Sequence, residues 1–367
     1  MSEYIKRDIL PHFCINSKIR NISVFDSGHI NNTFYIQTTG GDYVLQQINH
    51  NVFKRPDFVM SNIMNVTEHL KKKIVANGGD AERETLNFIQ ADTGEYFHKT
   101  SAGDYYRIYK YIGDVRTYQT VEKPEHFYNA ARAFGKFQNM LSDFPADILY
   151  ETIENFHHTP LRYAAFKKAV EEDKMGRADS VKDLIEFALE REKEAGVLID
   201  AISCGDIPVR VTHNDTKLNN VLIDRKTNKG ICVIDLDTVM PGSMLYDFGD
   251  SIRFGTNPAA EDEPDLSKVN MSMELYNQYA LGFLTELKDS ITEKELELMP
   301  VSAKIMTLEC GIRFLTDYLE GDTYFKTEYR EHNLDRTGTQ FKLVSDMEKN
   351  MNEMTETVKN IMKNLKD

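Results

Sequence analysis

Asp215, Asn220 and Asp235 have the residue types and spacing that phosphoryl transfer to a hydroxyl requires. In that chemistry one carboxylate orients the acceptor hydroxyl and receives its proton. An amide oxygen five residues on holds a divalent cation, and a second carboxylate bridges the cation to the phosphates. The three residues lie in Val211-Thr-His-Asn-Asp-Thr-Lys-Leu-Asn-Asn-Val-Leu-Ile-Asp224 and Gly230-Ile-Cys-Val-Ile-Asp-Leu-Asp237. A lone His-x-Asp would read as a solvated turn. Here several independent positions coincide, so Asp215 reads as the catalytic carboxylate and Asn220 and Asp235 as magnesium ligands. Asp237 either adds a second metal contact or orients the loop.

The elements that must position them follow from the flanking sequence. Val221-Leu-Ile223 and Ile231-Cys-Val-Ile234 are short apolar runs of high strand propensity, and the polar segment Asp224 to Gly230 between them predicts a hairpin. With Ile223 opposite Cys232, Asn220 and Asp235 fall at the same open end of that hairpin. Downstream, Asp247-Phe-Gly249 copies a protein-kinase metal motif, but it opens an apolar-periodic segment (Phe248, Ile252, Phe254) with an acidic start. Asp247 and Asp250 are therefore expected to cap a helix and brace the catalytic loop rather than bind metal.

The 367 residues, 41% hydrophobic and 28% charged, suffice for a large core divided into two lobes. No apolar run reaches membrane-spanning length and the first residues lack a signal-peptide core, so a cytoplasmic protein is expected. Cys14, Cys204, Cys232 and Cys310 have no metal-type spacing and are expected as buried reduced thiols. A net charge of -14 argues against nucleic acid or anionic membrane as partners and fits a small neutral acceptor.

The N-terminal third reads as a β-rich nucleotide lobe. Ile22 to Phe25 and Thr33 to Gln37 predict strands, Gly40-Gly41 a hairpin turn, and Tyr43 to Ile48 the return strand. Backbone amides near Gly28 and His29, with Asn32, are candidate phosphate donors. Pro56 starts a helix with the stripe Ile63, Val66, Leu70 and Ile74. Glu68 on that helix is a candidate partner for a phosphate-gripping strand cation, yet the strand carries Gln46 where a lysine is expected. Either Gln46 takes a neutral version of that role, or Lys54 or Arg55 supplies the charge. Tyr105 to Ile112 reads as an edge strand running into a hinge at about 109–113, with Tyr109, Tyr111 and Ile112 as candidates for binding adenine. Beyond it the chain is mainly helical, with the stripes Ala130, Phe134, Phe137, Leu141 and Met347, Met351, Met354, Val358, Ile361. The charged stretch Lys167 to Lys193 reads as a solvated helical region.

Taken together, these segments resemble the aminoglycoside phosphotransferase and choline kinase superfamily, and within it the anomeric sugar kinases. The likeness is carried by Tyr43-Val-Leu-Gln-Gln-Ile-Asn49, Phe156-His-His-Thr-Pro-Leu-Arg-Tyr163, His213 to Val221, Val233 to Gly242, Tyr246 to Arg253, Glu309-Cys-Gly-Ile-Arg-Phe-Leu-Thr-Asp-Tyr318 and His332-Asn-Leu-Asp-Arg336. It implies an α+β, bilobal protein-kinase-like fold: a small β-rich lobe over 1–111 and a larger, mainly helical lobe over 112–367. It also implies ATP, Mg2+ and a sugar phosphorylated at the anomeric hydroxyl. The absence of tryptophan weakens a choline reading, since quaternary ammonium is held in aromatic cages. His157, Thr159, Arg162, Arg313 and Asp317 offer mixed donors and acceptors suited to the hydroxyls and acetamido group of an N-acetylhexosamine. Arg313 and Asp317 also have the spacing of a helix-surface ion pair. Another small hydroxyl compound, or a non-catalytic nucleotide-binding module, are the competing readings.

Overall fold

The computed structural model describes residues 1–25 and 30–367. The chain forms two compact units: Met1–Arg116 with Asp143–Ile153 and Leu222–Pro241, and Thr117–Ser142 with Glu154–Val221 and Gly242–Asp367. The sequence set a single boundary at 109–113. The first boundary between the units falls after Arg116, and two later segments belong to the first unit.

In the first unit, β1 (Ile19–Val24), β2 (Asn32–Thr38), β3 (Tyr43–Ile48), β4 (His98–Lys99) and β5 (Tyr105–Lys110) form a sheet in the order β1-β2-β3-β5-β4. The expected Gly40-Gly41 hairpin is present, with Gly41 at φ 136°, a conformation that glycine adopts without strain. Residues paired across strands share a face. Phe34, Leu45 and Ile108 line one face, over which Ile5, Ile9 and Phe13 pack. Thr33, Gln46 and Arg107 form a polar row on the other. Helix α1 (Pro56–Ala76) lies on this second face, where Met60 Sδ meets Arg107. The stripe of α1 is buried as its spacing predicts. β5 is not an edge strand, because β4 and the segment around Phe88 flank it opposite β3.

The hairpin also forms, from β8 (Val221–Asp224) and β9 (Gly230–Val233), which join β6 (Val115–Arg116) in a small sheet. Its loop closes from Asp224 N–H to the Lys229 carbonyl at 2.9 Å, tighter than an Ile223–Cys232 register. Asp224 Oδ1 accepts from the Thr227 N–H and hydroxyl and from Lys226 N–H, while Oδ2 accepts from Arg83. These bonds, led by Thr227, hold the carboxyl down to about 2. A folded value below the unfolded one stabilises the fold above roughly pH 4, and that contribution disappears as pH falls towards 2. The stability difference between wild type and Asp224→Asn should therefore shrink between about pH 4 and pH 2 in denaturation series. An offset that stays constant across that window would contradict the role given to Asp224.

The second unit is a helical assembly of α2 (Pro124–Met140), α3 (Thr159–Glu172), α4 (Met244–Gly255), α5 (Met273–Leu287), α6 (Glu293–Glu320) and α7 (His332–Lys366), with β7 (Arg210–Thr212) buried among them. α6 packs against α3, α4 and α7, and α2 against α5. The α2–α5 crossing is close: a Cβ on Gly282 would lie 2.5 Å from the Tyr128 carbonyl oxygen. The methionine stripe of α7 is core packing, with Met347 and Met354 fully buried.

Two expectations change here. The stretch 167–193 is not merely solvated, because Ala169, Val181, Ile185 and Ala188 join Phe166, Leu308 and Phe341 in one apolar cluster. Of the four cysteines only Cys232 is buried, and all four are free thiols. Among the described residues, no helix is long and apolar enough to cross a membrane.

Candidate active site

The catalytic segment leaves β7, whose Arg210 is anchored in a two-pronged pair with Glu295 at 2.6 and 2.8 Å. Asn214 then takes a left-handed conformation, φ 66°, which asparagine tolerates better than most side chains. Asp215 follows this kink. Its Oδ1 lies 3.1 Å from Lys217 Nζ, and its Oδ2 accepts from Asn220 Nδ2 at 3.1 Å. The same amide nitrogen donates to the Asp215 carbonyl at 2.8 Å, which leaves Asn220 Oδ1 as the atom suited to a cation. Burial works against the Asp215 charge, but Lys217, His213 and Asn220 together outweigh it and keep the carboxyl below its usual range. Lys217 is raised in turn, first by Asp215 and further by Asp250 and Glu261. Lys217 is a site residue that the motif spacing alone does not single out.

Helix α4 braces this loop. Asp247 accepts from His213 N–H at 3.0 Å, Asn214 N–H at 2.8 Å and Gln138 Nε2 at 2.6 Å. Asp250 accepts from Thr216 N–H, and Ser251 donates to the Thr216 carbonyl. The bracing role expected of Asp247 and Asp250 matches these bonds, but the cap of α4 is Ser243, not either aspartate. The glycine of Asp247-Phe-Gly249 has a packing reason. A Cβ there would lie 2.5 Å from Met306 Cγ and 2.6 Å from the Ser302 carbonyl oxygen, so α4 and α6 meet too closely for any side chain.

In the first unit the polar row on the sheet is a relay. Arg107, only 2% exposed, donates through Nε and Nη2 to Gln46 Oε1 at 3.0 and 2.8 Å, and Gln46 Nε2 donates to Thr33 Oγ1 at 3.3 Å. Arg107 also pairs with Asp237. Burial disfavours the guanidinium charge, yet Asp237, with a smaller push from Asp235, raises its pKa. The cation beside Gln46 is thus Arg107, one strand over and buried against Gln46 and Asp237. A lone arginine inside the apolar run Tyr105 to Ile112 was the sequence signal, since a buried charge demands a partner.

Asp237 is buried, and its carboxylate meets Arg107 and Asn31 Nδ2, the latter at 2.6 Å, contacts of the kind the loop-orienting alternative requires. Asp235 is exposed and left-handed, φ 59°. Asn62 on α1 ties this turn down by donating to the Val239 carbonyl at 2.8 Å.

The other nucleotide candidates scatter. Gly28 and His29 lie outside the described residues. Asn32 is exposed and donates to Gln47. Glu68 does not reach the polar row: it is half exposed and pairs with Lys71 one turn along α1. Near the hinge, Lys110 N–H and Tyr111 N–H already donate to the Asn87 and Asp42 carbonyls. The Tyr109 hydroxyl is held protonated by burial. The Tyr111 ring packs edge-on to Tyr35, and Ile112 is buried just beyond.

The second unit gathers most of the sugar candidates. His157 Nδ1 lies 2.9 Å from Glu309 Oε1, and the Thr159 hydroxyl donates to Glu309 Oε2 at 2.6 Å. Arg162 Nη2 donates to the Phe156 carbonyl at 2.8 Å, and burial together with the neighbouring Arg313 lowers its pKa. Arg313 lies over the rings of Phe156, Tyr324 and Phe325. Asp317 does not belong to this group. Its carboxylate accepts the N–H groups of Thr323, Tyr324 and Phe325 and the Asn333 amide, so it shapes a loop rather than forming the i,i+4 pair with Arg313. Glu309, at the centre of the group, carries no signal in the sequence beyond its place in the segment Glu309 to Tyr318.

A separate set, His12, Asp92 and His98, brings ligand-type atoms within 4.8 Å of one another. The two rings lie face to face at 3.8 Å and 9°, and His12 Nδ1 is bonded to Asp92 Oδ2. Lone pairs in parallel planes do not converge on a point, so this set is a surface brace and not a metal centre.

Solved structures share this architecture. Spectinomycin phosphotransferase APH(9)-Ia, in complex with ADP and spectinomycin, aligns with a TM-score of 0.57 at 13% identity, covering 97% of each chain. A microcompartment-associated aminopropanol kinase aligns at 0.55 and 14%, covering 96% of this chain and 98% of its own. The choline kinase from Cryptosporidium parvum Iowa II gives 0.55 and 14%, covering 93% of each. These similarities establish the protein-kinase-like fold. Residues 21–268, more than half of the chain, match the phosphotransferase enzyme family (APH), and the braced Asp215 loop lies inside that span. The chain therefore belongs to this family of phosphotransferases.

Proposed function

We propose that this phosphotransferase uses ATP to phosphorylate the anomeric hydroxyl of an N-acetylhexosamine, as do the N-acetylhexosamine 1-kinases its sequence resembles. The observation that carries the phosphoryl-transfer part is an ionised Asp215 held between Lys217 Nζ and Asn220 Nδ2. A carboxyl with a lowered pKa is a weak base. Asp215 therefore orients the sugar hydroxyl and takes its proton late, which suits a loose phosphoryl-transfer transition state. Lys217 keeps that carboxylate aimed until substrate enters. Asn220 Oδ1 and, separately, exposed Asp235 are each proposed as magnesium ligands from their place in the sequence pattern, the cation when bound neutralising charge on the phosphate oxygens. Arg107 and Asp237 fix the turn carrying Asp235, and Ile112 is the proposed hinge contact for adenine.

The acceptor side supports a neutral sugar. Phe156, Tyr324 and Phe325 already face the Arg313 guanidinium, which takes the place an aromatic cage would give to choline. Glu309 and Asp317 are both occupied by internal donors, so no free carboxylate pair among these residues awaits a polycationic aminoglycoside. ADP release measured against hexoses, N-acetylhexosamines and amino alcohols, with the product examined for phosphate at C1, tests this reading. Turnover of amino alcohols alone would overturn it. In Asp235→Ala, nucleotide affinity at fixed magnesium should fall by about 10-fold or more. Unchanged affinity would remove Asp235 from the metal site.

A further inference from the structure

A relay of ion pairs in the second unit ends on the peptide that carries Asp215. Asp250 Oδ2 accepts from Thr216 N–H at 3.1 Å, while two prongs of Arg253 close on its Oδ1, Nε at 3.0 Å and Nη2 at 2.9 Å. The third prong, Nη1, donates to Glu261 Oε1 at 2.6 Å. Arg253 and Asp250 are buried, whereas the Glu261 side chain is 36% exposed. A planar guanidinium held at all three nitrogens has little freedom left, and the carboxylate in its grip keeps its second oxygen aimed one way.

Glu261 comes from outside the helix it pairs with. It lies on the connection 256–272 between α4 and α5, and that connection is fastened to α7. His332 Nε2 lies 2.9 Å from Asp262 Oδ2, the Thr339 hydroxyl donates to the Glu263 carbonyl at 3.4 Å, and Met271 N–H donates to Asp346 at 3.4 Å. The relay thus runs from a strap anchored on α7, through α4, to the loop. Burial works against the Glu261 charge, but Arg253 and then Lys217 outweigh it, so the strap also faces the cation that pairs with Asp215.

The end point of the relay decides what it can do. Thr216 N–H and the Asp215 carbonyl are opposite edges of one rigid peptide plane. That carbonyl accepts from Asn220 Nδ2 at 2.8 Å, the Thr216 hydroxyl donates to the Asp247 carbonyl at 2.6 Å, and the Thr216 carbonyl accepts from Ser251 at 2.8 Å. Tilting the plane therefore swings the Asp215 side chain and drags the Asn220 amide with it. Desolvation offsets most of the attraction in a buried ion pair, so a relay of this kind adds direction more than stability.

We infer that Arg253 and Glu261 are positioning residues for phosphoryl transfer: acting through Asp250, they hold the 215–216 peptide at the tilt that aims the Asp215 carboxylate at the acceptor hydroxyl. The inference rests on Asp215 as the group that receives the proton, and it is independent of which acceptor carries the hydroxyl. A relay that merely braced the strap would change melting temperature and leave turnover of the folded enzyme alone.

The experiment measures kcat and KM for full-length wild type, Glu261→Ala, Arg253→Lys, Asp215→Asn and the double variant Asp215→Asn/Glu261→Ala. ADP release is followed with whichever hexose, N-acetylhexosamine or amino alcohol wild type turns over fastest, and thermal unfolding is the control for folding. Glu261→Ala trims a side chain at the exposed end of the relay, so it carries the test even where the buried Arg253→Lys fails to fold. The expected result is a kcat lowered by about 10-fold or more in each single relay variant, with KM for the acceptor within about 2-fold of wild type. In the Asp215→Asn background the same Glu261→Ala change should cost about 2-fold or less, because the group it aims is gone. Folded Glu261→Ala with wild-type kcat, or with a loss undiminished in the Asp215→Asn background, would overturn the inference and leave Asp215 in its role. Near-normal kcat in Asp215→Asn would remove both.

Discussion

Asp215→Asn should lower kcat by about 10²- to 10⁴-fold while ATP affinity and folding stay close to wild type. The amide can still accept a bond from Asn220 Nδ2, so the loop geometry survives. What is lost is the group that receives the acceptor proton, and with it the fixed charge opposite Lys217. Lys217 remains near Asp250 and Glu261, so the substitution does not leave a cation without countercharge. Steady-state kinetics beside nucleotide titration separates the two effects. Near-normal kcat would show that another group receives the proton.

Asp247→Ala should cost both stability and activity, and stability more visibly. Three buried donors, on His213, Asn214 and Gln138, lose their acceptor together, and each unsatisfied buried donor costs about 1–3 kcal/mol. Burial raises the pKa of Asp247, so its charge is already held at a cost, and the N–H groups are what make the site tolerable. Denaturant unfolding should show a loss of about 3 kcal/mol or more, with kcat falling because the kink at Asn214 loosens. If Asp247 instead bound metal, the same variant would keep its stability and lose magnesium-nucleotide affinity.

These two residues also mark how much the sequence disclosed. Asp215 and Asn220 lie in one short segment, so local spacing suffices to bring them together, whereas the role of Lys217 between them shows only in the ion pair. The hairpin over 221–233 and the stripe of α1 were legible because strand and helix periods are local properties. Arg107 was missed because its meaning comes from strand pairing: Gln46 and Thr33 become its neighbours only when β2, β3 and β5 lie in register. The loop contacts of Asp317 are illegible for a related reason. Its acceptors are filled by backbone N–H groups of residues 323–325, and no pattern of side-chain types announces such a contact. Glu68 was proposed on its helix position alone, and its real partner was the lysine one turn away. Ion pairs of helix neighbours compete with every long-range role that a surface glutamate might be given.

The missing side chain at Gly249 has a bearing on how such an enzyme could change its acceptor. α4 carries Asp247, Asp250 and Ser251 beneath the proton-accepting loop, and Tyr246 of the same helix lies 5.1 Å from the His157 ring. α6, pressed directly against Gly249, carries Glu309 and Arg313. With no give at that crossing, remodelling α6 to admit a different acceptor shifts the support of the loop as well. Variants selected for a new acceptor by changes along α6 are thus expected to lose turnover before they lose affinity, and to regain it through second changes in α4.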